Sequence, residues 1–176
     1  MDFPLTLRRW TDKASADLSE LYAALSDQPD FENRLIESLN GDEDIHRVTT
    51  WLIKHHLEQK HVFSDEQVAC VFDQLGHLSN WEAKLHVLQL LPHVSVPERY
   101  KDPVEDFIRN CLSEINKFVR AWAYNGFYEL ACQYPELQPE AEILFEMASE
   151  DEAASVKARV SNIQKQGFPE TLTQAS

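Results

Sequence analysis

Seven histidines, 30 carboxylates and three cysteines are the side chains here with the widest chemical range. His55, His56 and His61 cluster, and His56, His93 and Glu129 recur at steps of 37 and 36 residues, so a metal site is the first chemistry to test. Its geometry is unfavourable. Side chains on packed helices about 8–10 Å apart must converge until each imidazole nitrogen lies roughly 2.0–2.1 Å from one zinc ion. Half-buried or solvated helix histidines are the expectation, with no metal ligands. Gly41, Gly76, Gly126 and Gly167 are the only glycines and build no phosphate-binding loop. Neither a Gly-x-Ser-x-Gly elbow nor a His-Glu-x-x-His run occurs. Carboxylate pairs chosen from so many acids carry little specificity. No catalytic residue is assigned, and no cofactor is implied.

Charge restricts the partners. With 16 Lys and Arg against 30 Asp and Glu, the formal net charge of −14 opposes both nucleic acid and anionic lipid. A protein or peptide partner, basic in one reading, is expected instead, and no oligomeric state follows. Hydrophobic residues make up 43% of 176, enough for one compact domain or a short solenoid and far from the composition of disorder. No membrane span or signal peptide is visible, so the expected location is cytoplasmic. Cys70, Cys111 and Cys132 form an odd, widely spaced set that suits reduced thiols.

Positioning any of these residues falls to helices, because apolar residues recur at three and four almost throughout while β-branched alternation is scarce. The fold class is all-α. The pattern predicts helices over 17–26, 30–39, 43–59, 65–77, 80–94, 103–113, 117–134, 138–149 and 152–166. Asn40-Gly41, Ser64, Ser79-Asn80, Pro97, Asn116, Pro135 and Gly167 mark caps and turns between them.

The helices repeat. Arg47, Lys84, Arg120 and Lys157 fall at intervals of 37, 36 and 37, and Thr50, Val87, Ala123 and Val160 keep the same step. So do Ile53, Leu90, Gly126 and Ile163. In the alternate helices Phe31, Val68, Val104 and Ala141 align, as do Leu35, Phe72, Ile108 and Phe145. Each unit is a helix A, a turn and a helix B, and a single hairpin cannot bury its apolar face, so stacking is required.

Val119-Arg120-Ala121-Trp122-Ala123 and Val156-Lys157-Ala158-Arg159-Val160 resemble the second-helix pattern of the HEAT and armadillo-like helical repeats. Ala83-Lys84 with Val87, and His46-Arg47 with Thr50, are weaker copies. The resemblance covers about 30–166 and implies a right-handed α-α superhelix, a solenoid of about four HEAT-like hairpins at 30–63, 64–99, 100–136 and 137–166. Residues 1–29 lie outside the register and are read as an N-terminal capping segment built on Leu18, Leu21, Tyr22 and Leu25. Residues 167–176 are read as a flexible tail. The His-Glu dipeptides of HEAT-repeat metal hydroxylases are absent.

The resemblance implies a non-enzymatic module that binds a protein or peptide partner on a concave B-helix face. Residues two, five and nine after each basic position share one side of a helix of 3.6 residues per turn. Among them His86, Gln89, Trp122, Asn125 and Arg159 are the candidate partner-binding residues. Trp122 has two readings, an exposed anchor ringed by polar groups or a core residue like Phe118, Tyr124 and Phe127. The alternative function is nucleic-acid binding of the DNA alkylation-repair glycosylase type, against which stands a face where only Arg159 is basic. Arg47, Lys84, Arg120 and Lys157 are expected to form structural ion pairs. Between Arg120 and Lys157 lie eight acids and no base, either a solvated face or a docking surface for a basic partner.

Overall fold

The computed structural model describes residues 2–170. Ten α-helices run through them: α1 (Phe3–Arg8), α2 (Leu18–Leu25), α3 (Phe31–Glu37), α4 (His46–Glu58), α5 (Asp65–Asp73), α6 (Trp81–Leu90), α7 (Lys101–Leu112), α8 (Lys117–Gln133), α9 (Gln138–Asp151) and α10 (Ala154–Gln166). The described residues contain no strand. None of their helices is long and apolar enough to cross a membrane.

Helix starts follow the side chains expected to cap them. Ser64 Oγ accepts from the Gln67 N–H at 3.3 Å while the Ser64 N–H donates to Gln67 Oε1 at 2.8 Å, a capping box that begins α5. Asn80 and Asn116 cap α6 and α8 through Oδ1. The helix expected over 80–94 ends as α-helix at Leu90 and continues as a single 3₁₀ turn over Leu91–His93. Pro92 has no N–H to continue the α ladder, which accounts for the change of winding. Pro103 does not delay α7, which starts at Lys101, since first-turn N–H groups have no intrahelical acceptor. The sequence pattern missed α1, a six-residue helix capped by Asp2, whose carboxylate accepts from the Leu5 N–H at 3.2 Å.

The chain divides into two compact units, residues 1–94 and 95–176. In the first, B helices α4 and α6 pack together, α3 packs on α5, and α2 packs on α4. In the second, α8 is central and contacts α7, α9 and α10. The register that aligned the A helices describes their buried faces. Phe31, Val68, Val104 and Ala141, with Leu35, Phe72, Ile108 and Phe145, are each at most 7% exposed, so this row is core. Thr50, Val87, Ala123 and Val160 form the matching buried row of the B helices.

Side-chain hydrogen bonds repeat the same period within each unit. Asn33 to Gln67, Asn40 to Gln74, Glu43 to Ser79 and Thr50 to His86 span 34 to 36 residues. In the second unit Lys101 to Glu136, Asn125 to Arg159 and the Val96 N–H to Gln133 span 34 to 37. Residues before α3 join this system. Arg8 pairs with Asp42, the Tyr22 hydroxyl meets His56, and Arg47 donates to the Thr11 and Lys13 carbonyls. The N-terminal segment thus engages the next helices at the repeat spacing, through polar groups that an apolar alignment does not detect.

Packing also continues beyond the expected end at 166. Gly167 takes φ 68°, a left-handed conformation that ends α10, and its carbonyl accepts from the Tyr128 hydroxyl at 2.9 Å. Phe168 stacks on Tyr128 with centroids 5.4 Å apart. Residues 171–176 of the expected tail lie outside the described residues.

Candidate interaction face

The three site residues of the second unit come together on α8 and α10. Asn116 caps α8, and the 17-residue helix that follows carries Trp122, Asn125 and Glu129 along one side. Val156, Val160 and Ile163 seat α10 in the core, which directs Arg159 back toward α8. The Arg159 guanidinium carbon lies 3.9 Å from the Trp122 ring centroid, and Nη1 donates to Asn125 Oδ1 at 3.2 Å. Both Trp122 and Arg159 are half-buried. Desolvation lowers the Arg159 pKa, and no ion pair among the described residues involves this guanidinium. Of its five N–H donors, one is directed to Asn125. Glu129 is half-buried as well; desolvation raises its carboxyl above the usual range, against a hydrogen bond with Asn125.

The first unit does not continue this arrangement. His86 is 5% exposed, which corrects its expected place on an open face. Its Nδ1 lies 3.1 Å from Thr50 Oγ1. The Thr50 hydroxyl also donates to the His46 carbonyl at 2.7 Å, which ties the ring to the first turn of α4. Burial, then the Lys54 and Arg47 charges, push the His86 pKa down to about 3. Gln89 is half-buried and His93 exposed, whereas Thr49, Leu52 and His56, the corresponding positions of α4, are all buried. Neighbours explain this contrast. α2 and α6 both pack on α4, so a side that helical geometry leaves open in isolation is covered in the fold.

The clustered histidines stack and do not converge on a common point. His55 lies parallel to Trp51 at 4.6 Å and His56 parallel to His61 at 4.1 Å. His56 Nδ1 meets the Tyr22 hydroxyl at 2.9 Å and Nε2 meets Glu32 at 3.0 Å, so both nitrogens are engaged. Among the described residues no group of three or more His, Cys, Asp or Glu side chains is placed to hold a metal ion. All three cysteines are free thiols.

The aligned basic residues tie successive elements together. Arg47 pairs with Glu82 in the first turn of α6. Arg120 pairs with Glu152 at 3.0 Å and donates to the Glu114 and Ile115 carbonyls, each at 2.8 Å. Lys157 donates to the Glu150 carbonyl at 2.8 Å. Three acids of the stretch from Glu129 to Glu152 are thereby neutralised by bases outside it: Glu136 by Lys101, Glu140 by Arg109 and Glu152 by Arg120.

Paired helices, A and B rows at a common register and inter-helix bonds at the repeat spacing define an α-helical repeat protein. The HEAT repeat domain family matches the chain over residues 8–167, and the chain belongs to that family. The match begins inside the segment read from sequence as a cap, in line with the bonds from Arg8, Thr11, Lys13 and Tyr22. HEAT repeat domains are helical scaffolds typically used for protein interaction and typically non-enzymatic. Comparison with curated proteins and with solved structures found no match.

Proposed function

We propose that this HEAT repeat protein is a non-enzymatic scaffold that binds a protein or peptide partner on the B-helix surface formed by Trp122, Asn125 and Arg159. The observation that carries the reading is the half-buried arginine stacked on the half-buried tryptophan, held by an amide and with no carboxylate partner among the described residues. Placing a cation partly out of water without an acid costs free energy in the isolated protein, and a partner that completes its hydrogen bonds recovers that cost. Trp and Arg are also the side chains that most often dominate interface energetics, because they bury a large surface with few rotors or many donors.

Asn125 supports the surface by spanning its two charged ends, Arg159 on one side and Glu129 on the other. Gln89, half-buried in the first unit, is a separate candidate contact. His86 contributes through folding, since its ring is enclosed.

Affinity capture from the native host, with tagged wild type and Trp122→Ala and quantitative mass spectrometry, tests the proposal. A protein retained by wild type and lost by a variant with unchanged thermal melting is the expected result. Equal recovery of every captured protein would refute it.

A further inference from the structure

A second surface lies on the A-helix side of the same unit. α9 buries Ala141, Phe145 and Ala148 and turns two rows outward. One row is apolar, with Ile143 58% and Met147 57% exposed, two of the few large apolar residues that are exposed among the described residues. The adjacent row is Glu142, Glu146 and Glu150, all exposed. Unlike Glu136, Glu140 and Glu152, none of these three is in an ion pair among the described residues.

Beside the acidic row is a groove of about 260 Å³ between α9 and the end of α10. Tyr128, Phe145, Ile163 and Phe168 supply its apolar wall, and Glu142 and Glu146 its acidic rim. The groove is preformed. The Tyr128 hydroxyl holds the Gly167 carbonyl at 2.9 Å, and Phe168 stacks on Tyr128 and on Phe145 at 5.4 and 6.5 Å.

We infer that this groove and the exposed α9 face dock a basic amphipathic helix of a partner protein. Charge complementarity selects the occupant. A purely apolar segment would desolvate two carboxylates with nothing in exchange, whereas a lysine or arginine lays its methylenes on the aromatic wall and keeps its charge at the rim. The spacing selects the helix. Both rows of α9 step by four residues, about 6 Å along the axis, and a helix lying alongside presents its own i, i+4 rows at that interval. The net charge of −14 adds long-range attraction for a cationic partner, screened by salt. This surface is distinct from the Trp122 cluster and does not depend on it, since Tyr128 and Trp122 project about 120° apart around α8.

Fluorescence anisotropy with the full chain tests the inference. The probe is a labelled lysine–leucine amphipathic helix with both residues repeating every fourth position; the controls are a scrambled peptide and one with glutamate in place of lysine. The ordered lysine peptide should bind, more weakly as salt rises, and both controls should fail. Glu142→Gln with Glu146→Gln should weaken binding by about fivefold to tenfold, the effect of two rim charge pairs, with unaltered thermal melting. Glu142→Lys with Glu146→Lys should transfer preference to the glutamate peptide, which a general loss of structure would not do. Equal binding of scrambled and ordered peptides would overturn the inference, as would indifference to both double variants. Nuclear Overhauser contacts from residues 171–176 to Phe168 in the peptide-free protein would also overturn it, by giving the groove to the chain's own end.

Discussion

His86 makes the stability of the protein depend on pH below about 6.5. Its ring is enclosed, is hydrogen-bonded to Thr50, and faces the Arg47 and Lys54 charges, themselves paired with Glu82 and Glu58. The folded-state pKa is about 3, whereas an unfolded histidine titrates near its ordinary value of 6.5. A lowered folded pKa means that the unfolded chain binds the proton first. The stabilisation by the neutral ring is therefore complete above about pH 6.5 and declines as the pH falls toward 3. The slope approaches about 1.4 kcal/mol per pH unit, so moving from pH 7 to pH 5 should remove about 2 kcal/mol. Urea unfolding of wild type and His86→Gln at the two pH values measures this. His55 and His56 also have lowered pKa values through burial and add to the wild-type loss in the same direction, whereas Glu129, with a raised pKa, opposes it. The difference between the two proteins isolates His86. His86→Gln should be less stable at pH 7 and should lose about 2 kcal/mol less than wild type on acidification. Equal losses would refute the enclosed, neutral ring.

Phe72→Ala and Ile108→Ala, at matched positions of the A row and 3% and 0% exposed, should each cost about 2–5 kcal/mol in denaturant unfolding. A loss below about 0.5 kcal/mol at both would contradict the register. Asn116→Ala removes the α8 cap and should cost about 1 kcal/mol in the same assay, with Asn116→Asp retaining most of it. Duplex DNA should show no binding in an electrophoretic or anisotropy titration at about 150 mM salt, where even basic proteins bind nonspecifically at only about 10⁻⁴–10⁻⁶ M. Micromolar binding there would favour the DNA-repair-like alternative.

The parts of the fold legible in the sequence were those encoded by apolar periodicity and by cap residues. Phe31, Val68, Val104 and Ala141 repeat because each seats an A helix in the same environment, and Ser64, Asn80 and Asn116 announce helix starts through their own side-chain chemistry. In the N-terminal segment the helix over 17–26 was legible from Leu18, Leu21 and Leu25, but its ties to the next helices, Arg8 to Asp42 and Tyr22 to His56, were not, because they are polar and lie between residue types that do not repeat. The short α1 offers too few residues for periodicity.

The candidate site was only partly legible, for a different reason. Helical geometry identifies which residues share a side, but burial depends on what covers that side. His56 occupies the position that α10 leaves open for Gln166, and His86 that of the half-buried Arg159, yet both histidines are enclosed within the first unit. Arg159 was read from its place in the row; its stacking on Trp122 and its lack of an acid depend on the approach of α8 and α10, which no local pattern specifies. The unbroken run of acids was likewise resolved only in three dimensions, where Lys101, Arg109 and Arg120 divide it into paired and unpaired members.

The most direct test of the proposed function is the dissociation constant of the captured partner for wild type and for Trp122→Ala, by titration calorimetry. If Trp122 and the arginine stacked on it form the binding surface, the variant should melt with the wild type and bind about 30-fold more weakly, the equivalent of about 2 kcal/mol at an interface anchor. A folded variant with wild-type affinity would contradict the proposal, and an unfolded one would return Trp122 to the core.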